Sequence, residues 1–497
     1  MTHFQKFLRP NLYLIFIIGL ATILRFYAYD RRWAPGADQV SFALLSRFAL
    51  FHHHLPLFGP FSSAGPFQTG GEWYWLIMAG QAIFPFSFLT PWVVFTIFYV
   101  VFVFLIYVVA KEIGGKNLGL LSALFAAVST SQIAQSANLT NQTPIAFISL
   151  LALWSSLRYL KAKKDKYIFL LGFFVGLASA IHSQGFALAP LILVTLVLGG
   201  VPKLRHLAML AVGLFLPWLP IFIADSRNHF HNTTNIILYY SRDQYKISFD
   251  VLGRRWITYL FRFWPQAWAH TIGGSFLVGW FLAISIGLFA IRGFIKKTIS
   301  REWILLIFST VFMIGMLRYI RTPIFDSYLM FLHPFIFILS SLTVLSLYKL
   351  NKYAGIILVL VILIFSLQRS IKELQTSNNK YYTTAIENIV FSLTKKYPNT
   401  KFDFYDFSYF SSNTSQAVVL LLDDKNLIDD KGKRIGLSTR KFKSTPKTPN
   451  KPDYIIFDRN IYDLTSIKKE ALPKYGWESV NPSFIYYNVQ EWYKFKK

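Results

Sequence analysis

The sequence has no cysteine and few acidic residues. Without cysteine it can form no disulfide, and it has neither a thiolate nucleophile nor a cysteine-ligated metal site. Charged residues make up 15% of the chain, against roughly 25% in soluble domains. Lys and Arg number 51 against 24 Asp and Glu, a formal net charge of +27. Because most basic residues flank apolar runs, the charge indicates orientation in a membrane rather than binding to nucleic acid.

Long apolar runs are abundant in the first 370 positions. Hydrophobic residues make up 54% of the chain and its mean hydropathy is +0.40. Runs that approach the roughly 20 residues needed to cross a bilayer predict transmembrane helices. We predict about 11 spans, at 11–29, 92–110, 118–133, 143–160, 167–181, 186–200, 207–224, 273–291, 303–317, 326–348 and 354–367. The first is assigned as a helix rather than a signal peptide, because Arg25 and Tyr27 stand where a small-residue cleavage site would lie.

Basic residues between the spans predict the orientation. Short loops rich in Lys and Arg face the cytoplasm, and the clusters alternate consistently if segment 72–88 does not cross the membrane. Its aromatic start, Trp73 to Trp75, and Pro85 fit an interfacial or re-entrant helix. We therefore expect a multi-pass protein of the plasma membrane, with its amino terminus in the cytoplasm and its carboxyl-terminal tail outside.

The tail differs in composition from the rest of the chain. It is rich in Lys and Asp, and its apolar patches are too short to span a bilayer. Helical patterns are at 383–396, 415–422 and 464–471, and strand patterns at 401–407, 453–457 and 483–489. The predicted fold is mainly α, a polytopic helical bundle with interfacial helices in the first outer loop and a small extracytoplasmic α/β domain. The predicted division is 1–368 for the membrane module and 369–497 for the α/β domain.

Asp38 is the sharpest candidate for chemistry. It follows the first span by a few residues, in Ala-Pro-Gly-Ala-Asp-Gln. A carboxylate at the mouth of a bundle could act as a general base on an acceptor hydroxyl. The same residue would also be a good N-cap for the amphipathic helix predicted at 39–51.

Three arginines are candidates for binding an anion. Arg318 and Arg321 fall on the outer face, against the orientation rule. A phosphate would suit the fork of their guanidinium groups, and an ion pair with Asp326 is the simpler alternative. Arg25, near the outer end of the first span, could snorkel outward, pair with Asp38 or bind a donor phosphate.

Uncharged polar residues cluster in two short outer loops. Asn138, Asn141 and Gln142 suit hydroxyl recognition, or they cap the helix that Pro144 begins. His182 and Gln184 lie in a tight turn between two apolar spans. An ionisable group there is a functional candidate, although a lone histidine is more often structural.

Further residues could line a sugar site. Gly70-Gly-Glu-Trp-Tyr-Trp75 contributes Glu72 and Tyr74 from a segment rich in glycine and aromatic residues, which suits turns and stacking on sugar rings. Tyr328 continues the outer face after Asp326 and could instead be a packed polar group.

The order of these features resembles the C-type glycosyltransferase superfamily, in its bacterial protein-O-mannosyltransferase-like and aminoarabinose-transferase-like branch. The resembling residues cover roughly the first 340 positions: Arg25-Phe26, Asp38, Leu57-Phe-Gly-Pro60, Gly70-Gly-Glu-Trp-Tyr-Trp75, 138–142, His182-Ser-Gln-Gly185 and Tyr328 with Pro334. The resemblance implies an enzyme that takes a sugar from a polyprenyl-phosphate carrier and transfers it, with inversion, to an acceptor on the outer face. It also implies Asp38 as the base and Arg318 and Arg321 near the lipid phosphate.

The chain departs from the family in one loop. Many relatives carry a second acidic residue where this chain has Asn138, Asn141 and Gln142. The departure puts a metal-bridged mechanism in doubt, so no cofactor is expected and a divalent metal is not supported. The expected partners are the lipid-linked donor, a lipid, glycan or protein acceptor and membrane lipids, with no nucleic acid.

Two other classes stay open. A lipid or sugar transporter or flippase would show polar residues at the bilayer midplane, whereas here they gather at one face. A non-catalytic assembly or receptor protein would leave Asp38 and the outer arginines without a role. A cytoplasmic enzyme that uses ATP or a nucleotide sugar is not supported, since the chain lacks a phosphate-binding glycine loop.

Overall fold

The computed structural model describes most of the membrane module and parts of the tail. The described residues are 3–33, 36–62, 67–84, 87–241, 256–317, 326–377, 386–388, 390–391, 394–395, 404–406, 413–425, 454–458, 477–480 and 490–495. Arg318, Arg321 and the tail predictions at 464–471 and 483–489 lie outside these ranges.

The chain is mainly helical, as predicted. The helices are α1 (His3–Phe26), α2 (Tyr29–Arg32), α3 (Ala37–Phe51), α4 (Glu72–Ile83), α5 (Thr90–Ala127), α6 (Thr130–Ser136), α7 (Ile145–Ala162), α8 (Asp165–Ile181), α9 (Ala189–Gly199), α10 (Leu204–Phe215), α11 (Leu219–Ser226), α12 (His231–Ser241), α13 (Trp264–Thr271), α14 (Phe276–Ile295), α15 (Arg301–Leu317), α16 (His333–Leu350), α17 (Lys352–Thr376) and α18 (Asn413–Asp424). Shorter 3₁₀ turns lie at Ser183–Leu188, Leu216–Trp218 and Asp326–Leu332, and a π turn at Tyr259–Phe263.

Six helical stretches of the described chain are long and apolar enough to cross a membrane. They are Thr90–Ala127, Ile145–Ala162, Leu204–Ser226, Phe276–Ile295, Ser327–Leu350 and Lys352–Thr376. The predicted spans 167–181, 186–200 and 303–317 coincide with shorter helices, and 11–29 coincides with the shorter apolar part of α1, so the total of about 11 crossings stays a prediction. The segment predicted to lie at the interface forms α4, whose 12 residues extend only about 18 Å and are too short to cross.

Glycine and proline interrupt the longest apolar runs. In α5 the backbone leaves helical geometry at Gly114 and Gly115, and Gly115 has a φ of 83°. A methyl group on Gly119 would stand 2.7 Å from the carbonyl oxygen of Tyr107, so the two halves of α5 contact each other as a hairpin. This turn separates the predicted spans 92–110 and 118–133. Between α10 and α11, Pro217 lies in the 3₁₀ turn that breaks the predicted span 207–224.

Helices α8 and α10 touch through their backbones. A methyl group on Gly172 or Gly176 would stand 2.4 Å from the carbonyl oxygen of Leu210 or Leu214, respectively. In the opposite direction, a methyl group on Gly213 would stand 2.3 Å from the carbonyl oxygen of Phe169. Glycine at these positions is therefore required by the close approach of the two helices.

The described chain divides into two compact units. The first comprises Met1–Tyr27, Leu55–Leu76 and Trp92–Ser377 and holds most of the apolar helices. It also contains a short antiparallel hairpin of β1 (Phe58–Phe61) and β2 (Gln68–Gly70). The second comprises Ala28–His54, Ile77–Pro91 and Asn378–Lys497. The division at residue 368 stays a prediction.

The second unit contains a four-stranded mixed sheet from the tail. Its strands are β3 (Phe404–Asp406), β4 (Tyr454–Asp458), β5 (Trp477–Val480) and β6 (Gln490–Phe495), in the order β3-β4-β6-β5. Strand β3 pairs in parallel with β4, and the other pairs are antiparallel. The strands predicted at 401–407 and 453–457 coincide with β3 and β4, whereas β5 and β6 were not predicted. Helix α18 coincides with the helix predicted at 415–422.

Candidate functional site

His182 lies at the end of α8, where the sequence predicted a tight turn. Its Nδ1 accepts a hydrogen bond from the backbone N–H of Gln184 at 3.2 Å, which caps the following 3₁₀ turn. Its Nε2 lies 3.1 Å from the side-chain amide of Gln142. The Tyr328 ring lies against the imidazole, with 5.4 Å between the ring centroids. Burial lowers the pKa of His182 to about 4, so the ring is uncharged near neutral pH.

Buried amides complete this end of the α7–α8 pair. Asn141 donates through Nδ2 to the carbonyl oxygen of Ile181 at 3.0 Å, and both Asn141 and Gln184 are buried. Neutral amides and a neutral imidazole can donate and accept hydrogen bonds, as the recognition of a hydroxyl-rich ligand requires. The structure therefore brings together residues that the sequence singled out from separate loops.

Glu72, the first residue of α4, adds a buried carboxyl group. Its side chain is 6% exposed, and neither oxygen has a hydrogen-bond partner in another described residue. A methyl group on Gly70 would stand 1.9 Å from Glu72 Oε2 and 3.2 Å from the carbonyl oxygen of Ala180. The carboxyl group is thus beside the last turn of α8. We call Glu72, Asn141, Gln142, His182, Gln184 and Tyr328 the His182 cluster.

The carboxyl group of Glu72 titrates near neutral pH. Burial raises the pKa of Glu72 to about 7, with its own backbone N–H acting weakly in the opposite direction. Buried polar groups that lack a hydrogen-bond partner, and ionisable groups whose pKa is strongly shifted, are typical of binding and catalytic sites.

The hairpin before Glu72 is held by a network that the sequence did not reveal. The Asn232 side chain accepts from the backbone N–H of Gln68 at 2.7 Å and donates to its carbonyl oxygen at 3.2 Å, as a neighbouring strand would. The Asp225 carboxylate in turn accepts from the N–H groups of Asn232 and Thr233, at 2.8 and 2.7 Å. An acidic residue at the end of an apolar run is itself a signal of function, and Asp225 could have been found in this way.

Three further residues that the sequence singled out, Asn138, Tyr74 and Asp326, are not members of the His182 cluster. Asn138 donates through Nδ2 to Gln135 Oε1 at 3.1 Å. Tyr74 is buried. Asp326 begins the 3₁₀ turn that carries Tyr328. Arg318 and Arg321 lie in the segment before it, outside the described residues.

Arg25 is fully buried and caps a helix. Its guanidinium donates to the carbonyl oxygens of Ala126 and Ala127, at 2.9 and 3.0 Å, and to that of Ala21 at 3.2 Å. These carbonyl groups lie at the carboxyl end of α5, where the helix dipole stabilises a nearby cation. The expectation that Arg25 snorkels outward is therefore wrong, because its contacts point into the bundle. A role in binding phosphate stays a prediction that these contacts do not support.

Asp38 lies in the first turn of α3, in the second unit, and is exposed. The helix begins at Ala37, so the carboxylate is within the first turn, where the helix dipole stabilises negative charge. No group of three or more His, Asp or Glu side chains within the described residues is arranged to hold a metal ion.

The chain resembles known proteins in part of its sequence and in its fold. Residues 73–223 match the family described as dolichyl-phosphate-mannose-protein mannosyltransferase. A search of curated proteins finds no match in sequence. Among solved structures, ArnT from Cupriavidus metallidurans matches in its apo state with 11% identity and a TM-score of 0.68, over 97% of this chain and 98% of that one. The same protein bound to undecaprenyl phosphate matches with 10% identity and a TM-score of 0.67, over the same shares.

A more distant match extends the likeness to archaea. The Archaeoglobus fulgidus oligosaccharyltransferase in complex with zinc and sulfate matches with 16% identity and a TM-score of 0.54, over 82% of this chain and 61% of that one. The family match is confined to residues 73–223, and the solved structures share the fold of this chain at low sequence identity. The fold is ArnT-like over nearly the whole chain.

Proposed function

We propose that this protein transfers a sugar from a polyprenyl-phosphate carrier to an acceptor hydroxyl on the extracytoplasmic face of the plasma membrane, with inversion at the anomeric carbon. The observation that carries the proposal is the His182 cluster, in which a buried carboxyl group lies with uncharged hydrogen-bonding groups at one end of a membrane helix pair. The match to a structure bound to undecaprenyl phosphate supports the class of donor.

The donor itself explains why no nucleotide site is needed. A sugar on a polyprenyl phosphate is already activated, so the protein must position the acceptor, remove its proton and stabilise the departing phosphate. The lipid tail can lie between apolar helices. The chain's many apolar side chains that are exposed in the first unit, such as Phe16, Leu277 and Ile357, provide the lipid-facing surface.

We propose that Asp38 is the base that accepts the proton of the acceptor hydroxyl. It is exposed to solvent in the first turn of α3, where a water-accessible acceptor can reach it. Glu72 has a different environment. Its pKa of about 7 lets it hold a proton near neutral pH and donate a hydrogen bond to a sugar hydroxyl.

The phosphate would be held by cations. We assign this role to Arg318 and Arg321, which precede the 3₁₀ turn bearing Tyr328 in sequence. A planar guanidinium can contact two phosphate oxygens at once. The amides of the His182 cluster would then bind the sugar hydroxyls.

A transfer assay with Asp38→Asn tests the proposal. The purified protein in lipid nanodiscs would receive undecaprenyl-phosphate-linked hexoses, pentoses and amino sugars with lipid, glycan and protein acceptors. General base catalysis contributes roughly 10²–10⁴-fold, so the variant should lose about that factor in rate while binding undecaprenyl phosphate normally. Asp30→Asn, at an exposed carboxylate in the same unit, is the matched control.

Two other results of this assay would each exclude one part of the proposal. A normal rate in the Asp38→Asn variant would remove this residue from the mechanism. Movement of the lipid-linked sugar across a bilayer without any transfer would instead favour a flippase.

A further inference from the structure

The helix that carries Asp38 is held by a helix of the carboxyl-terminal tail. Helices α3 and α18 belong to the second unit and pack against each other. Arg47 follows Asp38 on α3 by nine residues, which corresponds to about 14 Å along the axis and to opposite sides of the helix. Any contact that Arg47 makes therefore holds α3 from the side away from the carboxylate.

Arg47 joins two carboxylates of α18. Its Nε lies 2.8 Å from Asp423 Oδ2, and its Nη1 lies 3.1 Å from Asp424 Oδ1. The guanidinium thus contacts two consecutive residues with different nitrogens, which fixes the orientation of α18 as well as its distance.

The two carboxylates are unfavourable for α18 by itself. They end the helix, where its dipole disfavours negative charge, and no basic residue lies in its last turn. Adjacent carboxylates also repel each other. Arg47 offsets both effects, so the pair of aspartates is suited to a cation from another helix.

Apolar contacts accompany the ion pairs. Ala417, Leu420 and Leu421 are buried on α18, and Val40 and Ala43 are buried on α3. The two helices therefore contact each other through apolar faces, and the ion pairs at the edge limit how these faces can rotate.

Helix α3 is also anchored independently of the tail. Gln81 of α4 donates through Nε2 to the carbonyl oxygen of Ala43 at 3.4 Å, and Trp33 contacts Phe88 edge to face, with 5.3 Å between the ring centroids. If the Arg47 contacts were lost, α3 would consequently stay bound through these other contacts, but its orientation would be less restricted.

We propose that Arg47 is a positioning residue: through Asp423 and Asp424 it uses the extracytoplasmic tail to set the orientation of the helix that bears Asp38. The proposal rests on the proposed function, in which Asp38 accepts the proton of the acceptor. It gives the tail a part in the reaction without a contact to substrate.

The expected effect on rate differs from the effect on folding. Partly exposed ion pairs contribute little to stability, whereas a displacement of about 1 Å at a catalytic group can reduce a rate roughly 100-fold. In full-length protein, Arg47→Gln should lower kcat about tenfold to a hundredfold, with the KM for the lipid-linked donor and the Tm nearly unchanged. Arg47→Lys, which retains the charge, should recover part of kcat.

Two matched variants make the effect specific. The double variant Asp423→Asn with Asp424→Asn should match Arg47→Gln, and combining all three changes should add nothing further, since they remove one interaction. Arg31→Gln breaks an exposed ion pair with Asp30 in the same unit and should leave kcat unchanged.

A spin label reports the orientation of α3 without any sugar transfer. Because the chain has no cysteine, Ser41→Cys takes the only nitroxide label, one turn after Asp38. Arg47→Gln should increase the mobility of this label in the electron paramagnetic resonance spectrum, and Arg31→Gln should not.

The two readouts separate the proposals. Unchanged label mobility would overturn the positioning by Arg47, and so would greater mobility with an unchanged kcat. A wild-type protein that transfers no sugar would overturn the proposed function, while the label would still report whether Arg47 holds α3.

Discussion

Polar side chains at the two ends of the α7–α8 helix pair differ in their partners and in their exposure to solvent. At the end opposite the His182 cluster, the carboxylate of Glu112 pairs with Arg158 and Lys161, each at 3.2 Å, and that of Asp165 pairs with Arg205 and His206. We call these six residues the charged end. Each of these carboxylates has at least one cationic partner, and the side chains of Arg158, Lys161 and Arg205 are exposed to a large extent.

The His182 cluster is more shielded from solvent, since Glu72, Asn141 and Gln184 are buried and Gln142, His182 and Tyr328 are partly buried. Its histidine is neutral, Asn141 donates to a backbone carbonyl, Gln142 contacts His182, and Glu72 lacks a partner in another described residue. Leaving a buried polar group unpaired costs stability. Among the carboxyl groups described at the two ends, that of Glu72 is the one buried without a partner, which supports our proposal that the His182 cluster binds a ligand.

The largest expected effect comes from Glu72→Gln. The pKa of Glu72 in the folded protein, about 7, is above its ordinary value of 4.5, so its contribution to stability is complete below pH 4.5 and is lost as pH rises through 7. The difference corresponds to about 3 kcal/mol. Glutamine stays neutral, so the variant should unfold at a higher temperature than the wild type at pH 8 and at a similar one at pH 4. Thermal unfolding across this range measures it.

Asp30→Asn is the control for this experiment, because its carboxylate is exposed and should produce no such gain. A gain for Glu72→Gln that is equal at every pH would show that the carboxyl group is not titrating near 7, and would weaken the contrast between the two ends.

His182→Ala should have an intermediate effect. It removes two hydrogen bonds in a buried site, each contributing roughly 1 kcal/mol, so kcat/KM for transfer should fall about tenfold or more. Because the pKa of His182 is about 4, the pH midpoints of the profile between pH 5 and 8 should not move. Transfer kinetics over that range provide the measurement.

His206→Ala at the charged end is the matched control. His206 also makes side-chain contacts, to Tyr159 and Asp165, but it should leave kcat/KM unchanged. If both histidine variants lost the same activity, the two ends would not differ in function.

The smallest effect is expected from Glu112→Gln. It leaves Arg158 and Lys161 without their carboxylate, which should cost at most about 1 kcal/mol because the cations are well exposed. Salt screens such pairs, so the loss in Tm should shrink at high ionic strength. Sugar transfer should be unaffected, and a clear loss of transfer would mean that the charged end also contributes to activity.

Much of the fold could be predicted because burial in lipid leaves a simple record in sequence. Apolar length predicted the positions of the helices, and basic residues at Lys111 and Lys116 predicted the turn that Gly114 and Gly115 make inside α5. Helix α4 lies in the segment that was predicted to be interfacial from its aromatic start and Pro85. In the tail, by contrast, short strands such as β5 and β6 depend on pairing between distant segments, which periodicity alone does not reveal.

The site could be predicted only in part. Asn141, Gln142, His182 and Gln184 were singled out because polar residues are rare at the ends of apolar spans. Contacts that join distant segments were not accessible in this way: the hydrogen bonds of Asn232 to Gln68 connect residues 164 positions apart. The hydrogen bonds of Arg25 to backbone carbonyls about 100 positions later could not be predicted from the sequence for the same reason.

The backbone contact between α8 and α10 has a mechanical consequence. With glycine at Gly172, Gly176 and Gly213, no layer of flexible side chains separates the two helices, so neither can slide along the other without atoms colliding. The 17 residues of α8 therefore behave as a rod of about 26 Å with the charged end at one tip and His182 at the other. A ligand that enters beside His182 cannot be admitted by shifting this rod. A conformational change that admits a ligand would instead occur in the segments beside α8, namely the hairpin before Glu72 and the 3₁₀ turn after His182.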